Sequence, residues 1–561
     1  MKQALQTKDR PFFFELSEDK LHDPFLWLED GENLSYGQVL DLGENLLDGQ
    51  SGLRRLIFIQ GDNGPSTIAV YLAALRAGHV VHMLGQDDIS SQSALFELYQ
   101  PNSIVRCRGA DAEIDNVHTR ALGLHADLAI LLSTSGSTGS RKLVKISYEN
   151  IEANTRSIVD YLNMDSADIA LTLLKPNYSY GLSVINTHIA VGGSLRLTNR
   201  SVQDPGVWQD AAACGVTNLA GVPHVYEMLD TLAPDWAALD KLKFVTQAGG
   251  RLSPRLVRKY ADLGTKYGWE FIVMYGQTEA SPRMAYLPGH LAATHPNSIG
   301  KAIPGGELAL QDGEGMPIDL PGVEGELVYS GPNVMMGYAA SADDLAASES
   351  PGQLKTGDLA VKDEAGLFYI TGRKSRFVKL FGLRLSLDDI EAHLDAQGYT
   401  AAVVGNDQNI TVFAEGGPDM DAVVKHLSTR YRLLPNLIDG RQIDRLPRLE
   451  TGKTDYRALS ALAASNAPRP SFLTFFRESF REFTAILTGQ ATEPKSVRQA
   501  FEEILGRTDL SQNDNFLDLG GDSTAFIELS LSLESYLGYL PMDWQTQSIR
   551  ELESLGRRTD V

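Results

Sequence analysis

Cysteine is nearly missing from this chain: Cys107 and Cys214 are the only two among 561 residues. Two thiols cannot build a disulfide framework or a Cys-rich metal site. Neither stands in a nucleophile-like setting, so both read as ordinary core residues of a protein kept in a reducing cytoplasm. Long apolar runs are missing as well, and the opening MKQALQTKDR lacks the apolar core of a signal peptide, so neither a membrane span nor export is expected. Positive charge is scarce: 50 Lys and Arg face 72 Asp and Glu, a net of −22. That balance argues against nucleic acid or an anionic membrane face as the principal partner. A phosphate ligand would have to be met by local cation clusters. What is plentiful is apolar side chain, 43% of the chain, enough at this length for three or more packed domains.

The first half alternates buried strands with helical patterns. Leu56–Gln60 (LIFIQ) reads as a strand, 66–77 as a helix capped by Ser66, and the rhythm recurs at 170–174, 193–197 and 243–246, predicting an α/β lobe with mostly parallel sheets. Near Ile299 short alternating strands broken by Gly and Pro predict a β-rich subdomain that completes this large lobe, 1–372. An α+β block follows over 373–462, opening on a β-ribbon at 376–386. Residues 463–492 form a linker in which Phe472, Phe476, Phe480, Phe483 and Leu487 recur at helical spacing. That aromatic stripe is read first as docking onto a neighbouring domain of the same chain, and second as a partner or membrane-surface helix. The last block, 493–561, is helical in pattern and acidic, with 13 Asp and Glu against 6 Lys and Arg.

The most informative stretch is LLSTSGSTGSRKLVK, 131–145. Two aliphatic residues run into Ser133, Thr134, Ser135, Gly136, Ser137, Thr138 and Gly139, and the patch closes on Arg141, Lys142 and Lys145. Glycines let successive amides converge on an anion, hydroxyls add donors, and Lys142 adds a point charge. A Ser/Thr/Gly linker has similar composition but does not usually follow an apolar strand or end on Arg-Lys. It is not the common P-loop, which needs Gly directly before its Lys, where this chain has Arg141.

TSGSTGSRK instead resembles the phosphate loop of the adenylate-forming enzymes: acyl- and aryl-CoA synthetases, luciferases and the adenylation domains of nonribosomal peptide synthetases. Arg141 stands where relatives carry Pro, and Leu143 where they carry Gly. Six further stretches follow in the family's order. PNYSYG, 176–181, is similar to the motif whose aromatic ring, here Tyr178, lies beside the bound acid. It puts Ser179 where amino-acid-activating members keep an Asp for the substrate ammonium. A buried ammonium without countercharge is costly, so the expected substrate lacks an α-amino group: a fatty, aryl, hydroxy or keto acid, unless an acid from elsewhere does the pairing. QAGGRL implies that Gly249 and Gly250 let adenine approach the backbone. YGQTE implies that Tyr275, followed by Gly276, stacks on adenine, that Thr278 bonds a phosphate and that Glu279 holds Mg²⁺. Met274, Pro282 and Arg283 would flank the acid pocket, with Arg283 meeting either an acidic group on the substrate or, the favoured reading, an internal carboxylate. KTGDL implies Asp358 on the ribose hydroxyls and Arg373 as a second ribose contact near the hinge, where Ser375 departs from the usual Asp or Lys. KLFGLR implies Gly382 in the wall of the thiol tunnel, and RLETGKTDY a catalytic Lys453.

NFLDLGGDS, 515–523, resembles the attachment site of carrier domains, with Ser523 bearing 4′-phosphopantetheine and Thr524 in place of the usual Leu. A serine at a helix N-terminus suits a phosphodiester, since amides and dipole favour the phosphate; a plain N-cap serine is the alternative. The resemblance therefore implies an all-α four-helix carrier bundle at the end, with ATP, Mg²⁺ and phosphopantetheine as cofactors. Its partners would be a small carboxylic acid, a phosphopantetheinyl transferase and a downstream enzyme that takes the loaded group. The implied activity is an acid–thiol ligase that forms acyl-AMP and loads its own carrier domain. A CoA ligase releasing acyl-CoA, an amino-acid-loading module and a scaffold with decayed loops are the rivals.

Overall fold

A computed structural model describes residues 12–465 apart from 48–52, 86–88, 134–141, 350, 381–382, 407–408, 432, 434–436 and 450–451, and 496–556 apart from 517, 520–524, 526–528, 531, 534–535, 540 and 542–543. The chain forms two compact units, Met1–Ser375 with Leu446–Arg457, and Arg376–Arg445 with Ala458–Val561.

The first unit is a large α/β lobe built on two wide mixed sheets of nine and seven strands and a smaller one of four. Leu56–Gln60 is a fully paired central strand, parallel to Val80–Leu84 on one side and Ser103–Arg108 on the other. Apolar side chains on both faces explain its burial, as a parallel strand covered by helices requires. The helix after it runs Pro65–Arg76 with Gly64 at its N-cap, one residue earlier than the sequence pattern suggests. Pro65 supplies a pre-set φ at the first helical position, so Ser66 lies inside the helix, fully buried, rather than capping it. This helix packs against Tyr36–Leu46 so closely that a Cβ on Gly43 would lie 2.2 Å from the Ala69 carbonyl oxygen.

Two sheet features position the site. Leu128–Ser133, buried up to Leu132, pairs antiparallel with Leu143–Ser147, Ser133 opposite Leu143, so the chain leaves and re-enters the sheet on adjacent strands around 134–141. In the other wide sheet Asn218–Gly221, Phe244–Gln247 and Glu270–Gly276 run parallel, and the last then pairs antiparallel with Arg283–Leu287. The four-stranded sheet, Glu307–Gln311, Gly325–Ser330, Gln353–Lys362 and Phe368–Arg373, is antiparallel throughout and is the expected β-rich subdomain.

In the second unit Phe377–Leu380 and Leu383–Ser386 form the expected ribbon. A sheet of Ala401–Gly405, Ile410–Ala414 and Ile438–Gln442, with helices Leu387–Ala396 and Met420–Tyr431, surrounds a core including Ile390, Val403, Val412 and Leu427. Another core gathers Val497, Phe501, Phe516, Leu529, Leu533, Trp544 and Ile549, drawn from helices including Val497–Leu505 and Ile549–Ser554. This is the helical core expected of the acidic last block. Among the described residues no helix is long and apolar enough to cross a membrane. The aromatic stripe Phe472–Leu487 lies outside the described residues.

Candidate functional site

Strand Glu270–Gly276 delivers YGQTE to the carboxyl edge of its sheet. Gly276 is required there, since a Cβ would stand 1.8 Å from the Pro282 carbonyl oxygen. Asp358 lies directly opposite Arg373 on neighbouring antiparallel strands, so sequence-distant partners become a cross-strand pair. Arg373 Nε donates to Asp358 Oδ1 at 2.6 Å, while the Tyr275 hydroxyl and Gln277 Nε2 donate to Oδ2. Asp358 is 3% exposed, and a buried carboxylate needs such donors. Burial, and then the Asp358 charge, hold the Tyr275 hydroxyl protonated far above its usual range.

Glu279 sits in the tight turn Thr278–Ala280. The Tyr338 hydroxyl donates to its Oε1 at 2.8 Å, and Tyr338 pairs opposite Val144 on the strand that leaves the Ser/Thr/Gly stretch. Lys142, at the exit of that stretch, is exposed. Lys145 departs from the basic patch expected around it. It is 2% exposed, and its Nζ donates to the carbonyls of Asp344 at 2.9 Å and Ala347 at 2.8 Å; the inward pleat of the strand spends this lysine on structure.

Tyr178, Ser179, Met274, Pro282 and Arg283 are the residues expected beside the acid. Ser179 begins helix Ser179–Val191 and its Oγ lies 3.3 Å from Thr278 Oγ1. Gly249 has φ +88°, and a Cβ there would fall 2.4 Å from the Tyr178 hydroxyl, so its lack of a side chain serves that ring's approach. Gly250 accepts from Gln247 Nε2 through its carbonyl at 2.8 Å. Met274 accepts from the Tyr161 hydroxyl at 2.9 Å, and Pro282 is buried beside Arg283.

Arg283 contradicts the expectation of an internal partner. It is 3% exposed, its guanidinium lies 3.9 Å over the Tyr180 ring, and one terminal nitrogen donates weakly to Ser183 Oγ at 3.4 Å. Among the described residues no Asp or Glu forms an ion pair with it, and its Nε is buried without a hydrogen-bond partner.

Lys453 rides on Leu446–Arg457, which packs within the first unit. The loop closes on itself, Leu449 N–H donating to the Lys453 carbonyl at 2.8 Å, and Arg448 Nη2 donates to Glu227 Oε2 at 2.9 Å. Burial pushes the Glu227 carboxyl up, but His224 and Arg448 outweigh it and hold the group below the usual range. Gly452 has φ +76°, with Val222 Cγ2 only 3.0 Å from where a Cβ would be. Burial pushes the Lys453 ammonium below the ordinary lysine range and Arg373 adds to the shift, while Glu279 and Asp358 oppose it. Lys453 is thus within electrostatic reach of Arg373, Glu279 and Asp358.

The expected residues Asp358, Arg373, Tyr275, Gly276, Thr278, Glu279 and Lys453 therefore gather in one region of the first unit. Thr134, Ser135, Gly136, Ser137, Thr138, Gly139, Gly382 and Ser523 lie outside the described residues. Sequence reasoning missed Tyr338, Gln277, Tyr161 and Glu227. Gln277 sits inside a motif already singled out and could have been found; Tyr161 and Glu227 stand in helices and Tyr338 in a two-residue strand, with no local signal.

Residues 99–339 match the family of AMP-binding enzymes, and 495–555 match the phosphopantetheine attachment site. The chain is 30% identical over 378 residues to an L-proline--[L-prolyl-carrier protein] ligase of Streptomyces coelicolor, covering 62% of this chain and 67% of that protein. It is 26% identical over 351 residues to a probable CoA ligase of Humulus lupulus, covering 60% and 66%. Among curated relatives it spans as little as 11% of a protein's own length, in a fungal hybrid synthetase. Its fold is similar to that of ATP-bound MatB from Rhodopseudomonas palustris, with TM-score 0.68 and 22% identity over 80% of this chain and 97% of that one.

Proposed function

This chain belongs to the adenylate-forming AMP-binding enzymes and carries a phosphopantetheine attachment domain, and from that premise we propose that it activates a carboxylic acid and loads it onto its own carrier domain. Family membership makes it an ATP-using AMP-forming ligase with a carrier-attachment site. In the proposed reaction the acid carboxylate attacks the α-phosphorus of ATP, pyrophosphate leaves, and the acyl-adenylate then gives its acyl group to a thiol with release of AMP.

A carboxylate and a polyanion repel, so the first step needs preorganised positive charge. In this reading Lys453 stabilises the charge developing at the α-phosphoryl group, with the 134–142 stretch on the outer phosphates. Asp358, aligned by Arg373 and Tyr275, accepts from the ribose hydroxyls, and the tyrosine ring faces adenine. Glu279, steadied by Tyr338, would hold Mg²⁺. Among the described residues no group of three or more His, Cys, Asp or Glu gathers for a metal, and a single carboxylate fits an ion that takes its remaining ligands from phosphates and water and neutralises their charge. Ser523 would bear phosphopantetheine, which supplies the accepting thiol when attached. The neighbouring Leu519 and Ala525 both pack in the carrier core. Gly382 would line the path of that arm. The working domain scheme is 1–372 and 373–462 for the adenylating lobes, 463–492 for the linker and 493–561 for the carrier, with a phosphopantetheinyl transferase and a downstream acceptor as partners.

Ser179 in place of a carboxylate supports an acid without an α-amino group. The buried Asp358 carboxylate, aligned by Arg373 Nε at 2.6 Å and by the Tyr275 hydroxyl, with Lys453 carried on a loop packed in the same unit, is the observation that most supports the activity. Pyrophosphate exchange across a panel of acid classes tests it: wild type exchanges with at least one acid, and Lys453→Ala lowers that rate by about 10²–10³-fold. No exchange with any class would return the chain to a binding role.

A further inference from the structure

One buried charge near the acid side is left over. Arg283 lines a small, partly open cleft with Met164, Tyr180, Ser183, Ala220 and Met274, and none of the side chains lining that cleft is an Asp or Glu. His188, also at the cleft, brings no second charge. Burial lowers its pKa to about 4; Asn218 Nδ2 donates to its Nε2 at 3.0 Å, which leaves the proton on Nδ1 to donate to the Val184 carbonyl at 2.8 Å.

A guanidinium keeps its proton at all accessible pH and offers five donors in a planar fork. Here the known contacts are a ring face, one long bond to Ser183 and the Tyr161 hydroxyl, which itself donates onward to Met274 Sδ. None is anionic, and Nε has no partner. A buried cation without a counter-ion is among the costliest groups a fold can hold. Sheet position explains why it stays: Arg283 opens the strand Arg283–Leu287, opposite Gly276, the last residue of the strand that leads into Thr278 and Glu279. The charge is held next to Met274 and one turn of helix from Ser179, on the side where the acid's remote end must go if its reacting carboxylate faces Thr278.

Resting on the activity proposed above, we infer that the substrate carries a second anionic group, and that Arg283 receives it as a planar, charge-assisted pair. The acid class is a short dicarboxylate, or an acid bearing another compact oxyanion, whose far end meets the guanidinium while its near end is activated. Ser183 and Tyr161 position the fork, and the Tyr180 ring fixes its plane. An amino acid is disfavoured by the same charge, because its ammonium would be brought toward an unneutralised guanidinium.

The test is pyrophosphate exchange by the full-length protein with matched acids: propanoate against propanedioate, butanoate against butanedioate, and benzoate against benzene-1,2-dicarboxylate. Wild type is expected to favour at least one diacid over its monoacid by about tenfold or more in kcat/KM. Arg283→Gln abolishes that preference, and Arg283→Lys, which keeps charge but loses the fork, retains part of it. Because the readout is a ratio within one preparation, partial misfolding of a variant does not move it, and a thermal melt reports folding separately. A wild-type preference for the monoacids, or a diacid preference that survives Arg283→Gln, overturns the inference while leaving acid activation standing. Absence of exchange with these acids and with every other class removes the activity itself and the inference with it.

Discussion

The chemistry proposed for this chain turns, at the residue scale, on Lys453, a cation held in an environment that resists its charge. Burial and Arg373 lower its pKa, and Glu279 and Asp358 only partly restore it. If the protonated amine is the working form, adenylation persists at neutral pH and falls as pH rises through a value below the ordinary lysine range. A lysine whose folded-state pKa is depressed also penalises the native state while protonated, a penalty present below that pKa and relieved toward the unfolded value. Lys453→Arg keeps a cation that does not titrate, so its exchange rate, though lower, should lose the alkaline limb. A pH profile of pyrophosphate exchange for the two proteins checks this, and an unchanged limb would assign it to another group.

At the scale of elements, the loop Leu446–Arg457 matters most, because the role proposed for this exposed-looking run of polar residues depends on where it is pinned. Its anchor is Arg448 on Glu227, with the left-handed Gly452 against Val222. Both anchor side chains are partly exposed, with relative exposures of 21% and 41%, so cutting the pair costs little global stability. Arg448→Ala is therefore expected to lower acid-dependent pyrophosphate exchange by about tenfold while the thermal midpoint moves by a few degrees at most; an equal fall in both would make the arginine merely structural. The same loop shows what could be read in advance. RLETGKTDY pointed to Lys453, but nothing in the sequence names Glu227, because an ion pair that joins a loop to a distant helix leaves no local pattern. The helix at Pro65–Arg76 began one residue earlier than its serine suggested, since proline at the first turn outweighs a nearby capping hydroxyl. Asp358 and Arg373 were both legible as motif residues, and their pairing across two strands was not. Lys145 and Arg283 were misjudged in the same way: the sequence shows charge, whereas only packing shows whether carbonyls, a carboxylate, or a ring face and hydroxyls meet it.

For the whole molecule, the alternation of buried strands and helices made the α/β lobe readable, and the Gly- and Pro-broken segments after Ile299 made its β-rich subdomain readable. Assignment of Leu446–Arg457 to the first unit was not, since chain order places it after the small lobe's core. Two reactions are proposed for one polypeptide, and they separate by residue: the adenylating lobe needs no carrier, whereas loading needs Ser523. The measurement that bears most directly on the account is intact-protein mass spectrometry of full-length chain after treatment with a phosphopantetheinyl transferase, ATP and an acid that supports pyrophosphate exchange. The account predicts a phosphopantetheine adduct on Ser523 that gains the acyl mass only with ATP, together with Ser523→Ala that exchanges pyrophosphate normally and gains no mass. Acyl mass acquired at another residue, or loading that proceeds undiminished in Lys453→Ala, would contradict it.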